Sequence, residues 1–491
     1  MKKLLSIISL CLLTSSLLIG QDQVQALNYS QVYPVGSARF TSMGGAMGAV
    51  GGDFTAASVN PAGLGLYRSS ELVFTPVFYW SNSTSNYLGN AVKDTKYNLN
   101  IGNLGLVSTY NTNRENGLVG ATFAFGYNGM NNFHNSTVMS GINENSSLLD
   151  NFSHYANNNP NNLDPLYEQL AFDTYVMPYD STAGNYWHYL QPFEDYDYEG
   201  YGQEQTRLVE SRGYIGEYTF SGALNINHTL YFGATIGINA LRYYEDVYHT
   251  ETDVNNLEPE FHSFRFREFY RTRGVGYNFK LGVIFKPIHM LRIGASFHSP
   301  TLYNLDDEKF TDMNSTWDSS TGFPDESASS AKYAKEYQLQ TPLKASVSAA
   351  LLLGRLGLVS AEYEFVDYTK ANLDSPGYKF FDENDAIRNE FNSTHNLKAG
   401  AEIRLNPLYL RGGLQYYMSP FENERNGSDV WVYSAGLGVR SNNTFLDVAY
   451  TLGTRSEAYG LYAHQPDQGL YEVSMNDYTM NKVMVTMGVK F

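Results

Sequence analysis

Residues 36–66 read GSARFTSMGGAMGAVGGDFTAASVNPAGLGL, a run dominated by glycine, alanine and serine. So much glycine is unfavourable in the interior of a regular helix or strand. The run is also too apolar and too poor in charge to be a solvated linker. A segment of this composition needs a surrounding structure to hold it, and we expect the rest of the chain to provide that structure.

The N-terminus has the layout of a secretory signal peptide. Lys2 and Lys3 precede the apolar run LLSIISLCLLTSSLLIG. We predict that residues 1–20 are removed on export, with cleavage as late as Ala26 as the alternative. The only cysteine, Cys11, lies in this segment. The exported chain therefore has no disulfide and must be stabilised in another way.

The composition favours β structure and argues against nucleic-acid binding. Aromatic residues make up 15% of the chain, and glycine is abundant, which is typical of β proteins. After Gly20, no run of about 18 apolar residues could form a transmembrane helix. Without Lys2 and Lys3 the formal charge falls from −17 to −19, and so acidic a chain is a poor partner for nucleic acid.

Segments with alternating apolar and polar residues recur from residue 69 to the end. In the last segment, one face carries only apolar side chains: Val483, Val485, Met487, Val489 and Phe491. The opposite faces carry charges, amides, hydroxyls and glycine. The fourteen predicted strands are 69–80, 98–110, 117–129, 213–226, 229–245, 264–285, 288–298, 342–353, 355–366, 394–405, 408–419, 431–440, 443–453 and 482–491.

The connections between these strands alternate in length. Some are very short, such as Asn227-His228 and Asn406-Pro407, and the others are long: 130–212, 246–263, 299–341, 367–393 and 454–481. This alternation and the even strand number are typical of outer-membrane barrels. A soluble β-sandwich or propeller is the alternative, but it lacks an apolar face on every strand. We therefore predict an all-β fold, a transmembrane antiparallel β-barrel over residues 69–491 in the bacterial outer membrane.

Two local features refine this prediction. Leu99 and Ile101 are at odd positions of the second strand, whereas Leu104 and Leu106 are at even positions, so the two pairs would fall on opposite faces. This change of phase predicts a β-bulge near residues 102–103, with an incorrect register assignment as the alternative.

The last strand ends on Phe491, whose ring falls on the apolar face. Outer-membrane assembly machinery commonly recognises a terminal aromatic residue in this position. We therefore expect Phe491 to act as an assembly signal and this machinery to be a partner.

The glycine-rich run ends in Asn60-Pro61-Ala62-Gly63 and stands between the export signal and fourteen predicted strands. In this arrangement the chain resembles the FadL/TodX family of outer-membrane transport proteins along almost its whole mature length. The resemblance implies an N-terminal hatch that folds back into the barrel, here residues 27–68. It also implies passive transport of long-chain fatty acids or other hydrophobic compounds. The chain departs from the family in its long segment 130–212, onto which the family's ligand contacts cannot be aligned.

A hatch has a physical basis in the residues themselves. A barrel of fourteen strands leaves a lumen that would leak if it were open. Small residues allow a plug to lie close to the wall, and glycine supplies its turns. We expect the gate to include Asn60, Pro61, Ala62, Gly63, Gly44 and Gly45. A phosphate-binding loop is the alternative for the glycines, but the lysine that such a loop requires is missing.

Four arginines of one predicted strand share a parity: Arg265, Arg267, Arg271 and Arg273. We expect them to face the lumen or its extracellular mouth, where a carboxylate head group could pair with one of them. The alternative is ion pairing within the wall, with the acidic loops and with Glu402, Glu362, Glu364 and Asp447.

Apolar residues at near-helical spacing occur in the segment 130–212: Leu163, Leu166, Leu170 and Phe172. They predict a short amphipathic helix above the mouth. Family members use such loop helices to capture hydrophobic ligands, so these residues are candidates for capture. The alternative is a helix that buries this face against neighbouring loops.

Neither an enzyme nor a metal site is expected. No nucleophile has a neighbouring base in the sequence, and no histidine pair has metal-ligand spacing. Some relatives are labelled hemin receptors, and the loop residues His154, His188, His249 and His262 are the candidate axial ligands. Others act in type IX secretion. We therefore expect a passive transporter without a cofactor, with a hemin receptor or a type IX secretion adaptor as alternatives.

Overall fold

The computed structural model describes residues 23–192, 200–254, 260–318, 324–423, 427–465 and 470–491. The predicted signal peptide, residues 1–20, lies outside these ranges. Fourteen antiparallel strands form a closed barrel, in which the first strand pairs with both the second strand and the last. The labels β1 to β21 below also include shorter segments that extend some of these strands or lie in the connections between them. The predicted fold class and the number of strands are therefore confirmed.

The strands are β1 Glu71–Tyr87, β2 Asn90–Asn111, β3 Leu118–Asn132, β4 Asn135–Asn143, β5 Tyr179–Asp180, β6 Asn185–Tyr186, β7 Gln203–Ile226, β8 Leu230–Thr252, β9 Phe261–Ile288, β10 Leu291–His298, β11 Leu302–Trp317, β12 Glu326–Ser329, β13 Tyr333–Gln340, β14 Lys344–Leu352, β15 Gly357–Asp367, β16 Asn372–Asp374, β17 Ser393–Leu405, β18 Leu408–Tyr417, β19 Val430–Arg440, β20 Thr444–Gln465 and β21 Leu470–Lys490. The helices are α1 Gln23–Ser30, α2 Ala38–Ser42, α3 Ala56–Val59, α4 Leu148–Asn158, α5 Glu168–Asp173 and α6 Phe381–Glu390, and short 3-10 turns cover Pro61–Leu66 and Tyr368–Lys370. None of the helices in the described ranges is long and apolar enough to cross a membrane.

Each predicted strand overlaps a strand of the wall, but many continue well past the predicted end. The interval 454–481 is predicted to be a loop. In the structure, β20 continues to Gln465 and β21 begins at Leu470. The interval 246–263 is likewise mostly strand. These extensions are richer in polar side chains than the wall below them. Their outward positions lack the apolar alternation by which the wall strands were recognised.

The outward face of the wall carries an apolar band. On β8 it covers residues 230–240, and on β9 it covers residues 275–285, where outward positions such as Ile236 and Phe279 are exposed. About 9–11 residues is the length that a tilted strand needs to cross a bilayer. Most inward positions of the same segments are small or polar, which leaves room for other residues inside the barrel.

The phase change in the second strand is a β-bulge at Gly102, as predicted. Thr75 pairs with Asn103 and Pro76 with Ile101, so Gly102 is skipped in the register. Below the bulge, β2 pairs with β3 from Asn103 onward. Above it, residues 90–102 pair with β1 alone, whereas β3 stays paired with β7 as far as Asn132. The wall is therefore discontinuous between β2 and β3.

Candidate functional site

The N-terminal segment, residues 23–67, lies inside the barrel. Its residues contact inward-facing positions on β2, β3, β8, β9, β10, β17, β18, β19 and β21, strands that surround the whole lumen. Between residues 36 and 67 nearly every side chain is buried. The expected container for the glycine-rich run is thus the barrel itself.

Close approach between this segment and the wall depends on glycine pairs, each made of two glycines directly opposite on neighbouring strands. The pairs are Gly105 with Gly126, Gly233 with Gly282, and Gly400 with Gly413. A side chain at any of these positions would meet the N-terminal segment at 2.6 Å or less. These six wall residues therefore form three flat surfaces, which we call the glycine seats.

Each seat receives a different part of the segment. The ring of Phe54 lies on the first seat, Asn60 and Pro61 on the second, and the Met43-Gly44 peptide on the third. Gly44 has φ of +59° and Gly45 has φ of +65°, a backbone conformation that favours glycine. The structure thus brings the predicted gate residues Gly44 and Gly45 against β17 and β18.

Asn60 holds the end of the segment together. Its Nδ2 donates to the Gly48 carbonyl at 2.7 Å and to the Val283 carbonyl of β9 at 3.4 Å, and its Oδ1 accepts from the Ala62 amide at 3.2 Å. Asn60, Pro61, Ala62 and Gly63 are all buried. The side chain therefore links two turns of the segment to the wall.

Ionic groups of the wall also contact the segment. Glu362 accepts from the Gly48 amide at 2.9 Å, Glu217 accepts from the Ser58 hydroxyl at 2.6 Å, and Glu402 pairs with Arg39 at 3.2 Å. The same carboxylates pair with wall cations: Lys398, Lys280 and Arg411 respectively. Removing one partner of such a buried pair leaves an uncompensated charge.

The upper part of the segment closes the discontinuity in the wall. The Val35 amide donates to the Gly129 carbonyl and the Tyr33 amide to the Met130 carbonyl, each at 2.9 Å. These β3 carbonyls lie just beyond the last residue that pairs with β2. The N-terminal segment therefore takes the place of β2 as the neighbour of β3.

A small cavity of about 20 Å3, with room for one water molecule, lies at this junction. Its lining includes Val35, Val77, Ile101, Tyr127 and Lys482. The Lys482 ammonium has no carboxylate within 4 Å among the described residues. Sequence reasoning missed Lys482, although it has the parity of the polar face of the last predicted strand.

The four candidate arginines are not in the lumen, so that prediction is wrong. They have the same parity as the outward apolar band of β9, and Phe264, Phe266 and Tyr270 face inward instead. Above the band, the outward face meets water and tolerates charge. Arg267 pairs with Asp246 and Asp312, Arg271 pairs with Glu308, Arg273 donates to the Tyr244 hydroxyl, and Arg265 lies near Asn314.

The segment between β4 and β7 forms an apolar core above the mouth. The predicted helix is the short α5, and a second helix, α4, was not predicted. Leu166 and Leu170 are buried in this core, Leu163 packs at its edge, and only Phe172 of the four candidates is exposed. These leucines thus bury their apolar face against neighbouring loops.

The loop histidines mostly interact with protein groups. His188 Nε2 lies 2.8 Å from Asp150 and His249 Nε2 lies 2.8 Å from Glu251, and both rings are buried. His154 contacts Asn158. Within the described ranges, no group of three or more acidic, histidine or cysteine side chains could hold a metal ion.

Phe491 joins the last strand to the first. Its amide donates to the Ser70 carbonyl and its carbonyl accepts from the Ser70 amide, each at 3.1 Å, while its ring is exposed. The role of Phe491 in assembly stays a prediction.

We expect Gly282→Val to push Asn60 off its seat, because a Cβ at residue 282 would meet Asn60 Oδ1 at 1.9 Å. The expected loss is about 1–3 kcal/mol, with faster proteolysis of residues 36–66. Unfolding in detergent and limited proteolysis measure the two effects. Gly222→Val is the matched control, because the nearest atoms to its Cβ are 3.9 Å away. Equal behaviour of the two variants would contradict the seat.

Glu168 on α5 should make the loop core sensitive to pH. Burial raises the pKa of Glu168 from 4.5 to about 7. Between these values the unfolded loop loses this proton first, so the stability of α5 should fall as the pH rises. In the parent chain, the free energy that stabilises α5 should be about 2–3 kcal/mol lower at pH 8 than at pH 4. Glu168→Gln should abolish this difference and should have little effect at pH 4.

Hydrogen exchange of the α5 amides at the two pH values measures this local stability. Asp173→Asn, at an exposed carboxylate of the same helix, is the control and should keep the pH dependence of the parent chain. An unchanged pH profile in Glu168→Gln would show that burial of this carboxyl does not destabilise the loop core.

Solved structures share this architecture. A FadL homologue from Pseudomonas aeruginosa is 12% identical, with a TM-score of 0.54 over 94% of this chain and 99% of that chain. The toluene transporter TodX of P. putida is 10% identical, with a TM-score of 0.54 and the same coverage. The toluene transporter TbuX of Ralstonia pickettii is 14% identical, with a TM-score of 0.50 over 95% and 100%. At such low identities the likeness shows the fold alone.

No curated protein sequence matches the chain. The family model described as outer membrane protein transport protein (OMPP1/FadL/TodX) matches residues 215–487, more than half of the chain. The matched region runs from β7 to β21 and so includes most of the barrel. Members of this family are transport proteins and not enzymes. The chain therefore belongs to the OMPP1/FadL/TodX family of outer-membrane transport proteins.

Proposed function

We propose that this outer-membrane transporter of hydrophobic compounds carries long-chain fatty acids, and that its N-terminal segment is the gate. The observation that carries the proposal is the seal between Val35 and Gly129 at the wall discontinuity. The segment stands in the place of a wall strand and is bound to β3 there by two backbone hydrogen bonds. It can therefore leave this position without unfolding the barrel. Its departure would open the lumen sideways toward the lipid.

Entry begins at the loops. Phe172, Tyr175 and Tyr179 are exposed aromatic residues above the apolar core, and we assign the first contact with an apolar chain to them. Leu166 and Leu170 support this surface from below. Burying about ten methylene groups would contribute about 8 kcal/mol before entropy losses. The capture step therefore needs no other source of energy.

The cavity at the wall discontinuity favours an amphiphilic anion. Val35, Val77 and Ile101 supply apolar walls, and Lys482 supplies a cation that no described carboxylate neutralises. The cavity has room for only one water molecule, so a ligand could enter only after Val35 and its neighbours move away. A fatty acid has an apolar chain and one carboxylate, which suits the residues it would then meet. The neutral aromatic hydrocarbon carried by the toluene transporters TodX and TbuX would leave the ammonium unpaired.

The exit leads through the wall rather than along the barrel axis. Residues 36–67 occupy the lumen on three glycine seats and several ion pairs, so axial passage would require all of these contacts to break. Lateral exit requires the contacts near residues 33–36 to break, and the glycine seats can stay occupied. Because β2 and β3 are not paired above the bulge at Gly102, the gap between them is open to a ligand once the segment has moved.

A disulfide between Val35→Cys and Gly129→Cys should lock the gate. Val35 Cγ2 lies 3.5 Å from the Cβ position of residue 129, and the only native cysteine is Cys11. We expect uptake of a radiolabelled long-chain fatty acid to fall at least about tenfold in the oxidised variant and to return on reduction. Each single cysteine variant is a control. Equal uptake by the oxidised and reduced double variant would contradict the gate.

Lys482→Met should distinguish fatty acids from neutral compounds. Loss of the ammonium should raise the half-saturating concentration of a long-chain fatty acid about tenfold, since a charge-assisted contact is lost. Transport of the fatty alcohol with the same chain length should not change. Lys482→Arg, which keeps the charge, is the control. If both compounds respond equally to Lys482→Met, the carboxylate assignment is wrong.

A further inference from the structure

Three arginines mark the upper edge of the apolar band on its outward face. Arg242 follows the band segment 230–240 on β8, and Arg273 adjoins the band segment 275–285 on β9. Arg212 stands at the same edge of β7, above Tyr214. All three side chains are exposed. They are the first charged outward residues of these neighbouring strands, so they lie where the apolar part of the bilayer ends.

Two of the three guanidinium groups lie over one tyrosine, and the third is on the same face two residues away. Arg212 and Arg273 lie over the ring of Tyr244 at 5.2 and 5.4 Å, and Arg273 Nε donates to its hydroxyl at 3.1 Å. Arg242 is two residues from Tyr244 on the same face of β8. Stacking on a common ring holds the guanidinium planes in place without neutralising their charge.

This cluster of positive charge has no direct ion pair among the described residues. Arg242 stands directly opposite Arg273 in the register of β8 and β9, and like charges in opposite positions destabilise a sheet. Among the described residues, no carboxylate lies within 4 Å of any of the three guanidinium groups. Asp306 is the register partner of Arg273 on β11, yet the two do not form an ion pair.

Arginines higher on the same face behave differently. Arg267 pairs with Asp246 and Asp312, and Arg271 pairs with Glu308. Acidic side chains are therefore available on this surface, and they neutralise the arginines farther from the band. The unpaired cations are those nearest the lipid.

We propose that Arg212, Arg242 and Arg273 bind the phosphate group of a lipid in the outer leaflet. The phosphate would lie between the three guanidinium groups and relieve the repulsion between Arg242 and Arg273. The acyl chains of the same lipid would lie along the apolar band below, against Tyr218, Ile238 and Tyr277 of the same face. Planar guanidinium groups suit the oxygens of a phosphate, with which they form paired hydrogen bonds.

The test measures binding of phosphorylated lipid A to the purified full-length barrel in detergent by native mass spectrometry. Arg212→Gln/Arg242→Gln/Arg273→Gln should weaken this binding at least about tenfold, because several charge-assisted contacts are lost. The control Arg265→Gln/Arg267→Gln/Arg271→Gln removes the same charge from the same face but should change binding less than about threefold. Lipid A from which the phosphates have been removed should bind all three proteins equally weakly.

Barrel folding is checked first by heat-modifiable migration on gels. If the triple variant does not fold, Arg242→Gln and Arg242→Lys provide the comparison, and binding should fall in the first and be retained in the second. Equal loss of binding in the two triple variants would overturn the proposal, since only general electrostatics would then be at work. Displacement of the lipid by 10 mM inorganic phosphate would overturn it as well, because the site would then take a free anion.

Discussion

The close approach of the N-terminal backbone to the barrel wall is the constraint on which the rest of the interior depends. A chain of small residues can fill a lumen only where the wall also lacks side chains. The three glycine seats meet this requirement, because in each of them two neighbouring strands carry glycine at the same height. The segment thereby obtains from the wall the conformation that its own propensities do not favour.

Charged groups are divided between the two faces of the wall according to what each face contacts. Inward carboxylates such as Glu217, Glu362 and Glu402 bind both wall cations and the N-terminal segment. On the described strands β7 to β9, outward charges lie above the apolar band, where they pair with one another or stand open toward the lipid surface. Net charge alone does not reveal this division, since the acidic total includes both sets.

The discontinuity between β2 and β3 is where the proposed gate lies. A closed barrel with a continuous hydrogen-bond ladder resists lateral opening, because every strand pairs on both sides. Here the bulge at Gly102 ends one ladder, and the N-terminal segment takes over the pairing with Gly129 and Met130. This interruption of the ladder thus lies beside a small cavity that Lys482 lines.

Alternation with a period of two was sufficient to predict the barrel, its fourteen strands and the bulge, because side chains on a strand face opposite sides and a shift by one residue is visible in the pattern. Asn60 and its neighbours were also predicted to lie in the gate segment, since their local backbone chemistry is unusual. For Arg265, Arg267, Arg271 and Arg273 the prediction rested on charge and was wrong, although their parity is that of the outward apolar band. Charge does not mark the lumen here, because above the membrane both faces of a strand meet polar surroundings.

Sequence by itself determined what each strand presents on its two faces and that the glycine-rich run needs a container. Only the tertiary structure decided which glycines stand opposite one another, which carboxylates receive the N-terminal segment, and that Lys482 and Val35 share a cavity. The physical reason is that these contacts join residues hundreds of positions apart through strand register and barrel closure. Register and closure depend on the whole sheet, and no local pattern records them.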